Sequence, residues 1–156
     1  MAEHLERFLT DAGLAVEQQP VTEARSNVVA RRHSEGAPRV LIAAHMDTVT
    51  AADFQDAFSA IVTEDKLLGR GACDDKGSLA CAAASLADIC KQDTMTPFDI
   101  TLLASVGEET DMCGAAAFAE HAASAYDLVL VMEPTRLASV DAHKAVARCA
   151  VTATGT

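Results

Sequence analysis

Residues 39–47 read Arg39-Val-Leu-Ile-Ala-Ala-His45-Met-Asp47, a continuous apolar run that passes directly into a histidine and an aspartate. A strand that is apolar at every position is typical of a sheet covered on both faces, as in parallel α/β sheets. Residues 99–106 and 127–132 repeat this character. The sequence therefore predicts three buried strands in a largely parallel central sheet.

Helices and shorter extended segments are predicted around these three strands. Residues 77–91 and 113–123 carry apolar side chains at helical spacing, and they lie between the buried strands. This alternation favours an α/β fold, a three-layer sandwich with helices on both faces of the sheet. The other predicted elements are a helix over 2–13, strands over 14–20 and 26–32, and a small hairpin over 57–69.

Composition and charge restrict the class of partner. The chain has 156 residues, 50% hydrophobic and 22% charged, as expected for one globular domain with a sizeable core. Its 12 Lys and Arg against 23 Asp and Glu give a formal net charge of -11. Because nucleic-acid phosphates would be repelled by such a surface, a nucleic-acid partner is excluded and a bound cation is favoured.

Apolar runs and cysteine spacing bear on the compartment. No apolar run approaches the roughly 18 to 20 residues of a membrane span, and the first residues lack the basic and apolar regions of a signal peptide. The five cysteines form an odd number without a C-x-x-C pair, which argues against a disulfide framework or a zinc finger. We expect a cytoplasmic protein with no membrane partner and with reduced, mostly buried thiols.

Histidine and carboxylate residues follow the predicted strands at their carboxyl ends, where open α/β sheets bind ligands. They are His45 and Asp47, Glu108 and Glu109, and Glu133, with Asp74 and Asp75 at the start of the helix over 77–91. Taken singly, a histidine or an acidic loop is usually a solvated surface group, and an aspartate before a helix is most simply an N-cap. Because four separate segments place such residues at the same edge of the predicted sheet, one shared site is favoured.

The donor set at this rim is typical of a hydrolytic divalent-metal site, in which one imidazole is joined by several carboxylates and one carboxylate bridges two ions. In His45-x-Asp47, the residue two positions on can hydrogen-bond the second imidazole nitrogen and fix the tautomer. Glu108 and Glu109 are adjacent at a strand end, so their side chains point to opposite sides. One is predicted to bind metal while the other faces water.

Five motifs occur in a fixed order along the chain. They are His45-Met-Asp47-Thr-Val, Gly69-Arg-Gly-Ala-Cys-Asp74-Asp-Lys-Gly77, Gly107-Glu108-Glu109-Thr110, Glu133-Pro-Thr135 and Ala142-His-Lys144. In this order they resemble the M20 family of metallopeptidases, and most closely the branch of acetylornithine deacetylase and succinyl-diaminopimelate desuccinylase. The resemblance spans nearly the whole chain, but only the front part of a family member.

The resemblance implies which residues bind metal. His45 and Glu133 would bind one zinc ion, Glu109 would bind a second, and Asp74 would bridge the two. The implied cofactor is Zn²⁺, two ions per complete site, with Co²⁺ as a substitute ion. At position 133, Glu rather than Asp resembles the deacylases and carboxypeptidases of the family more than its aminopeptidases.

The resemblance also implies the catalytic roles. Glu108 would be the general base and Asp47 the partner of His45. The chain would then belong to a dizinc amidohydrolase that cleaves an N-acyl amino acid or a small peptide, in which Glu108 takes a proton from zinc-activated water and passes it to the leaving amine. A cis peptide bond between Asp74 and Asp75 is implied as well.

The resemblance further predicts a division of the chain. Residues 1–144 would be the N-terminal part of the catalytic domain, and residues 145–156 the start of a lid domain through which a full-length form would be a homodimer. Family members have a downstream histidine that completes the second zinc site and a lid histidine that holds the oxyanion. These 156 residues contain neither, so the chain by itself is predicted to be inactive.

Three alternatives stay open. Within the family, an M20-type dipeptidase or carboxypeptidase would use the same metal chemistry. From another class, a receiver-like signalling domain would hold Mg²⁺ at Asp74-Asp75 with Lys144 nearby, but it would leave His45 and Glu108-Glu109 without a role. The third alternative is a non-catalytic metal-binding or interaction fragment.

Overall fold

A computed structural model of the chain describes residues 1–52, 54–92, 96–122, 125–142, 152 and 154. Its elements are α1 (Ala2–Asp11), β1 (Ala15–Pro20), β2 (Ser26–Arg32), β3 (Arg39–His45), β4 (Ile61–Val62), β5 (Leu67–Leu68), α2 (Lys76–Lys91), β6 (Asp99–Ser105), α3 (Cys113–Ala122) and β7 (Leu128–Val131). The helices and the strands of the large sheet begin and end within two residues of the predicted bounds. The strands β4 and β5 form the predicted small hairpin.

The main sheet has five strands in the order β1-β2-β6-β3-β7. The strand β3 pairs in parallel with β6 on one side and with β7 on the other, whereas β2 is antiparallel to both β1 and β6. The sheet is therefore mixed, and its parallel part consists of the three strands with continuous apolar sequence. The carboxyl ends of these strands share one edge, where His45 lies beside Ser105.

Helices cover both faces of the sheet, which confirms the three-layer α/β sandwich. On one face, α1 and α2 pack through Leu9 and Leu86 against β6 residue Leu102. On the other face, Phe118 of α3 packs against Leu103, the next residue of β6. Because successive side chains of a strand point to opposite faces, this strand contributes to both core layers. Each such buried side chain stabilises the fold by about 1.5–3 kcal/mol.

The strand β7 differs from the expectation of burial. All four of its residues are exposed, from 44% for Leu130 to 67% for Val131. It lies at the edge of the sheet beside β3, and neither core cluster of the described residues includes a β7 side chain. The prediction of a third strand in the parallel sheet is confirmed, but the prediction that it is buried is wrong for this structure.

The cysteines within the described part of the chain are all unpaired, in agreement with the predicted free thiols. The prediction that they are mostly buried is wrong, because Cys73 and Cys81 are exposed and Cys90 and Cys113 are only partly buried. An exposed thiol is possible here because Cys73 lies in a loop and Cys81 lies on a solvent-facing position of α2.

Two predictions concern the organisation of the whole chain. Among the helices described here, none combines the length and the apolar character needed to cross a bilayer. Residues 143–151 lie outside the described residues, and with them His143, Lys144 and most of the predicted lid segment. The division at residue 144 therefore stays a prediction.

Candidate metal centre

The site is built at the edge where β3 and β6 end. His45 is the last residue of β3, and it is 2% exposed. Immediately after it, the backbone N–H of Met46 donates a hydrogen bond of 2.8 Å to the carbonyl of Ser105. The pairing with β6 thus continues past His45, and the imidazole is fixed at the sheet edge.

Both ring nitrogens of His45 have partners. Nδ1 lies 3.0 Å from the backbone carbonyl oxygen of Asp47 and 3.7 Å from its carboxylate Oδ1. Because a carbonyl oxygen only accepts hydrogen bonds, Nδ1 carries a proton and Nε2 is left to face the site. Nε2 lies 2.9 Å from Oδ1 of Asp74. The main chain of Asp47, rather than its carboxylate, makes the shorter contact with the imidazole.

The carboxylate of Asp47 holds the segment after β6. Its Oδ1 accepts a hydrogen bond of 3.3 Å from the backbone N–H of Glu108, and its Oδ2 accepts one of 3.2 Å from that of Glu109. Hydrogen bonds to a charged acceptor contribute about 1.5–3 kcal/mol each. Asp47 therefore ties the end of β3 to the two glutamates. Gly107 allows the chain to turn toward them, since its φ of 78° favours glycine.

Asp74 is supplied by the loop between β5 and α2. The peptide bond between Asp74 and Asp75 is cis, as the family resemblance implies. Earlier in the loop, Gly71 has φ 80°, and a Cβ there would lie 2.8 Å from Cγ2 of Thr48. The loop therefore packs closely against the segment that follows β3. This contact brings Asp74 to His45.

Asp75 is buried next to the site and contacts the main chain of His45. It occupies the N-cap position of α2, but its side chain makes no capping hydrogen bond. The carboxyl group is fully buried, and its Oδ2 accepts a hydrogen bond of 3.2 Å from the backbone N–H of His45. Burial raises the pKa of Asp75, while hydrogen bonds from Ser78 and His45 oppose that rise. The N-cap interpretation thus describes the position of Asp75 but not the use of its side chain.

Three of the predicted ligands come together. His45, Asp74 and Glu109 each offer one ligand atom, and these atoms all lie within 4.8 Å of one another. Oε2 of Glu108 lies 3.9 Å from Nε2 of His45. Glu133 does not join the group of three. Glu133 is an exposed residue at the margin of the site. Partial burial of its carboxyl group nevertheless raises its pKa, and the negative charges of nearby carboxylates raise the pKa further.

The carboxylates concentrate negative charge at this rim. Burial raises the pKa of Glu108, with His45 opposing the rise and Glu109 adding to it. Burial would lower the pKa of His45, but the hydrogen bond to Asp74 and the charge of Glu108 outweigh it, so the pKa is raised. A divalent cation would relieve both effects. Imidazole and carboxylate donors suit zinc, so the residues present fit the metal that the resemblance implies.

The fold and the donor set define a class: an α/β protein with an imidazole and carboxylate cluster at the carboxyl ends of parallel strands. A family model described as peptidase family M20/M25/M40 matches residues 41–153. The chain belongs to this family. The resemblance carried by the five sequence motifs is thereby confirmed.

Curated relatives support the same assignment. The chain is 36% identical over 153 residues to acetylornithine deacetylase of Edwardsiella ictaluri, covering 95% of this chain. It is 32% identical over 160 residues to a probable succinyl-diaminopimelate desuccinylase of Staphylococcus epidermidis, covering 99% of this chain. In both cases the chain spans 39% of the length of the relative.

Solved structures show the same fold. Human carnosine dipeptidase 1 superposes with a TM-score of 0.70 at 18% identity, over 83% of this chain and 31% of that one. An M20 family metallo-carboxypeptidase from Sulfolobus solfataricus gives a TM-score of 0.61 at 22% identity, over 69% and 25%. The three-layer arrangement described above is therefore shared with M20 structures.

The sequence predictions missed one residue behind the site. Asn27 is fully buried near the start of β2, although amide side chains are mostly exposed in proteins. The available signal was weak, a single amide directly before the apolar run Val28-Val-Ala30. Its partners, described below, lie too far away in sequence to be inferred from a local pattern.

Proposed function

We propose that this chain carries the metal site of a zinc-dependent amidohydrolase that cleaves an N-acyl amino acid or a small peptide. The observation that supports it most is the convergence of ligand atoms from His45, Asp74 and Glu109 within 4.8 Å, with Glu108 beside them. The deacetylase and desuccinylase relatives favour an N-acyl amino acid as the substrate.

The proposed ligands follow the family pattern. His45 and Glu133 bind one zinc ion, Glu109 binds a second, and Asp74 bridges them. The protonated Nδ1 of His45 supports this assignment, because it leaves Nε2, the nitrogen beside Asp74, as the ring atom that can bind metal. Zinc at this site supplies the Lewis acidity that lowers the pKa of water and polarises the amide carbonyl. We expect Co²⁺ to substitute for it.

Glu108 is the proposed general base. Its carboxylate is 33% exposed, so it lies at the boundary between the buried imidazole and the solvent that delivers water. Its raised pKa makes it a better proton acceptor than an ordinary glutamate. In the proposed reaction Glu108 takes a proton from the attacking water and passes it to the nitrogen of the leaving amine.

The fold and the site geometry both bear on the alternative functions. A dipeptidase or carboxypeptidase is the second candidate, since solved structures of both kinds share the fold. A receiver-like domain is disfavoured, because Asp74 contacts His45 and shares a donor cluster with Glu109. A homodimer formed through a lid, and a cytoplasmic location, stay predictions from the sequence.

The chain of 156 residues also allows the fragment hypothesis to be tested. It supplies three proposed ligands to one zinc ion and two to the other, whereas catalytic zinc usually has three protein ligands and a water. We therefore expect at most about one tightly bound zinc ion and no detectable hydrolysis of N-acetyl amino acids. Calorimetric zinc titration and an amine-release assay measure both, and two tight ions with substantial turnover would contradict this expectation.

Two substitutions separate the proposed base from the proposed ligand. In an active form that contains this chain, Glu108→Gln is expected to lower turnover by roughly a hundredfold while zinc content is unchanged. Glu109→Gln is expected to lower the occupancy of the second metal. Glu120→Gln on the exposed side of α3 is the matched control for loss of one carboxylate. Loss of zinc on Glu108→Gln, with zinc retained on Glu109→Gln, would show that the two roles are reversed.

A further inference from the structure

A buried amide lies behind the segment that carries the two glutamates. Asn27 is 0% exposed, and its Oδ1 accepts a hydrogen bond of 3.1 Å from the backbone N–H of Val106. Its Nδ2 donates to the carbonyl of Gly114 at 2.8 Å and to Oε1 of Gln19 at 2.9 Å. Both ends of the amide group are therefore hydrogen-bonded, which fixes its orientation.

The hydrogen bond from Val106 lies where the pairing of β2 with β6 stops. The last paired residues of these strands are Val28 and Ala104. Two residues beyond that pair, the N–H of Val106 is held by a side chain instead of by a neighbouring strand. The carbonyl of Val106 accepts a hydrogen bond of 3.0 Å from the N–H of Gly114. Both backbone groups of Val106 are therefore fixed, two residues before Glu108.

The packing around Asn27 leaves little room for movement. A Cβ added at Gly114 would lie 2.4 Å from the carbonyl oxygen of Val106 and 2.5 Å from Oδ1 of Asn27. Gln19, which accepts from Asn27, also donates a hydrogen bond of 3.2 Å to the carbonyl of Ala117 in α3. Three elements, β1, β2 and α3, thus meet at one amide that contacts the segment leading to the site.

We propose that Asn27, oriented by Gln19, is a positioning residue for Glu108 and Glu109. It acts by accepting a hydrogen bond from the N–H of Val106, two residues before Glu108. The Asp47 carboxylate holds the same segment at its other end, because it accepts hydrogen bonds from the backbone N–H groups of both glutamates. Without the bond to Asn27, the segment is free to shift and the Glu109 carboxylate leaves the donor group. The part of this inference that concerns zinc rests on the proposed function.

The test compares three variants of the chain. Asn27→Ala removes the hydrogen bond from the N–H of Val106. Gln19→Ala keeps Asn27 but removes one of the two acceptors of its Nδ2, together with the hydrogen bond from Gln19 to the carbonyl of Ala117. Val29→Ala is the matched control, because Val29 is 1% exposed and lies on the same face of β2, but packs against Phe118 without a polar contact to the segment. Amide hydrogen exchange by NMR and calorimetric zinc titration are measured on each.

We expect Asn27→Ala to speed amide exchange at Val106, Glu108 and Glu109 and to weaken zinc binding about tenfold or more, as the loss of an outer partner of a ligand does. Gln19→Ala should shift both readouts in the same direction, with zinc binding about threefold weaker. Val29→Ala should lower the melting temperature while zinc affinity and exchange at Glu108 and Glu109 stay unchanged.

Two outcomes would overturn the proposal. In the first, Asn27→Ala and Val29→Ala lose zinc affinity equally at equal loss of melting temperature, which would reduce Asn27 to a structural residue. In the second, Gln19→Ala leaves exchange and zinc affinity unchanged, and this variant decides the matter if Asn27→Ala does not fold. Failure of the unsubstituted chain to bind zinc would instead count against the proposed metal site, and exchange at Glu108 and Glu109 would still decide the positioning role.

Discussion

His45 and Glu133 are proposed ligands of one zinc ion, yet the structure holds them in opposite ways. His45 ends a strand paired on both sides, is 2% exposed, and has partners at both ring nitrogens. Glu133 follows the edge strand β7 and is exposed. The sheet therefore preorganises one ligand, while the other must be ordered when metal binds.

The largest expected effect tests this difference directly. His45→Ala should weaken zinc binding by at least about a hundredfold, the upper end of the loss seen when even an outer partner of a ligand is removed. Glu133→Ala should cost about tenfold, because a ligand that metal must first order contributes less. Calorimetric zinc titration of both variants gives the ratio. Equal losses would show that preorganisation does not distinguish the two ligands.

Gly114→Ala tests the ordered side of the site through its packing. Alanine in place of a helical glycine would by itself stabilise the chain by up to about 1 kcal/mol. Here the new Cβ would meet the carbonyl oxygen of Val106 at 2.4 Å, and overpacking of this kind costs about 1–3 kcal/mol. We expect net destabilisation in urea unfolding. The exposed control Ala119→Ser should change the free energy of unfolding little. A Gly114→Ala variant more stable than the unsubstituted chain would mean that the residues around Gly114 can move to accommodate the new Cβ.

Asp47→Asn separates the two functions of one residue. The variant keeps the backbone carbonyl that contacts His45, but its NH₂ group would face one of the two glutamate amides that now donate to the carboxylate. Zinc binding should weaken about tenfold. The Nδ1–H tautomer of His45 should persist in ¹⁵N NMR spectra. A changed tautomer would show that the carboxylate, rather than the main chain, controls the imidazole.

The smallest expected effect is a pH dependence of the metal-free chain. Burial raises the pKa values of Glu108 and Glu133. A carboxyl group whose pKa is raised by folding stabilises the fold below its unfolded value, about 4.3, and that contribution is lost as the pH rises through the folded value. The melting temperature should therefore fall slightly as the pH rises above about 4.3, and added zinc should reverse the fall. Glu108→Gln combined with Glu133→Gln should make this fall smaller, and the remainder should come from Asp75 and His45, whose pKa values are also raised.

Local patterns predicted the strands and helices because apolar periodicity is a property of neighbouring residues. The same patterns placed His45, Asp74, Glu108 and Glu109 at one rim, since strand ends of a parallel sheet share an edge. Burial of β7 was predicted wrongly because an apolar run does not reveal what covers a strand. Asn27 was missed because its partner Val106 is 79 residues away, a separation that no local pattern records.

Asp47 contributes to the site once through its carbonyl oxygen and once through its carboxylate, and only the second is encoded by the side chain. Every amino acid at position 47 brings the same carbonyl, so an alanine scan would report half of what this residue does. Inherited variation faces the same limit, because no codon removes a peptide oxygen. Replacing the peptide bond after residue 47 with an ester, whose carbonyl is a poorer acceptor, would reveal the other half.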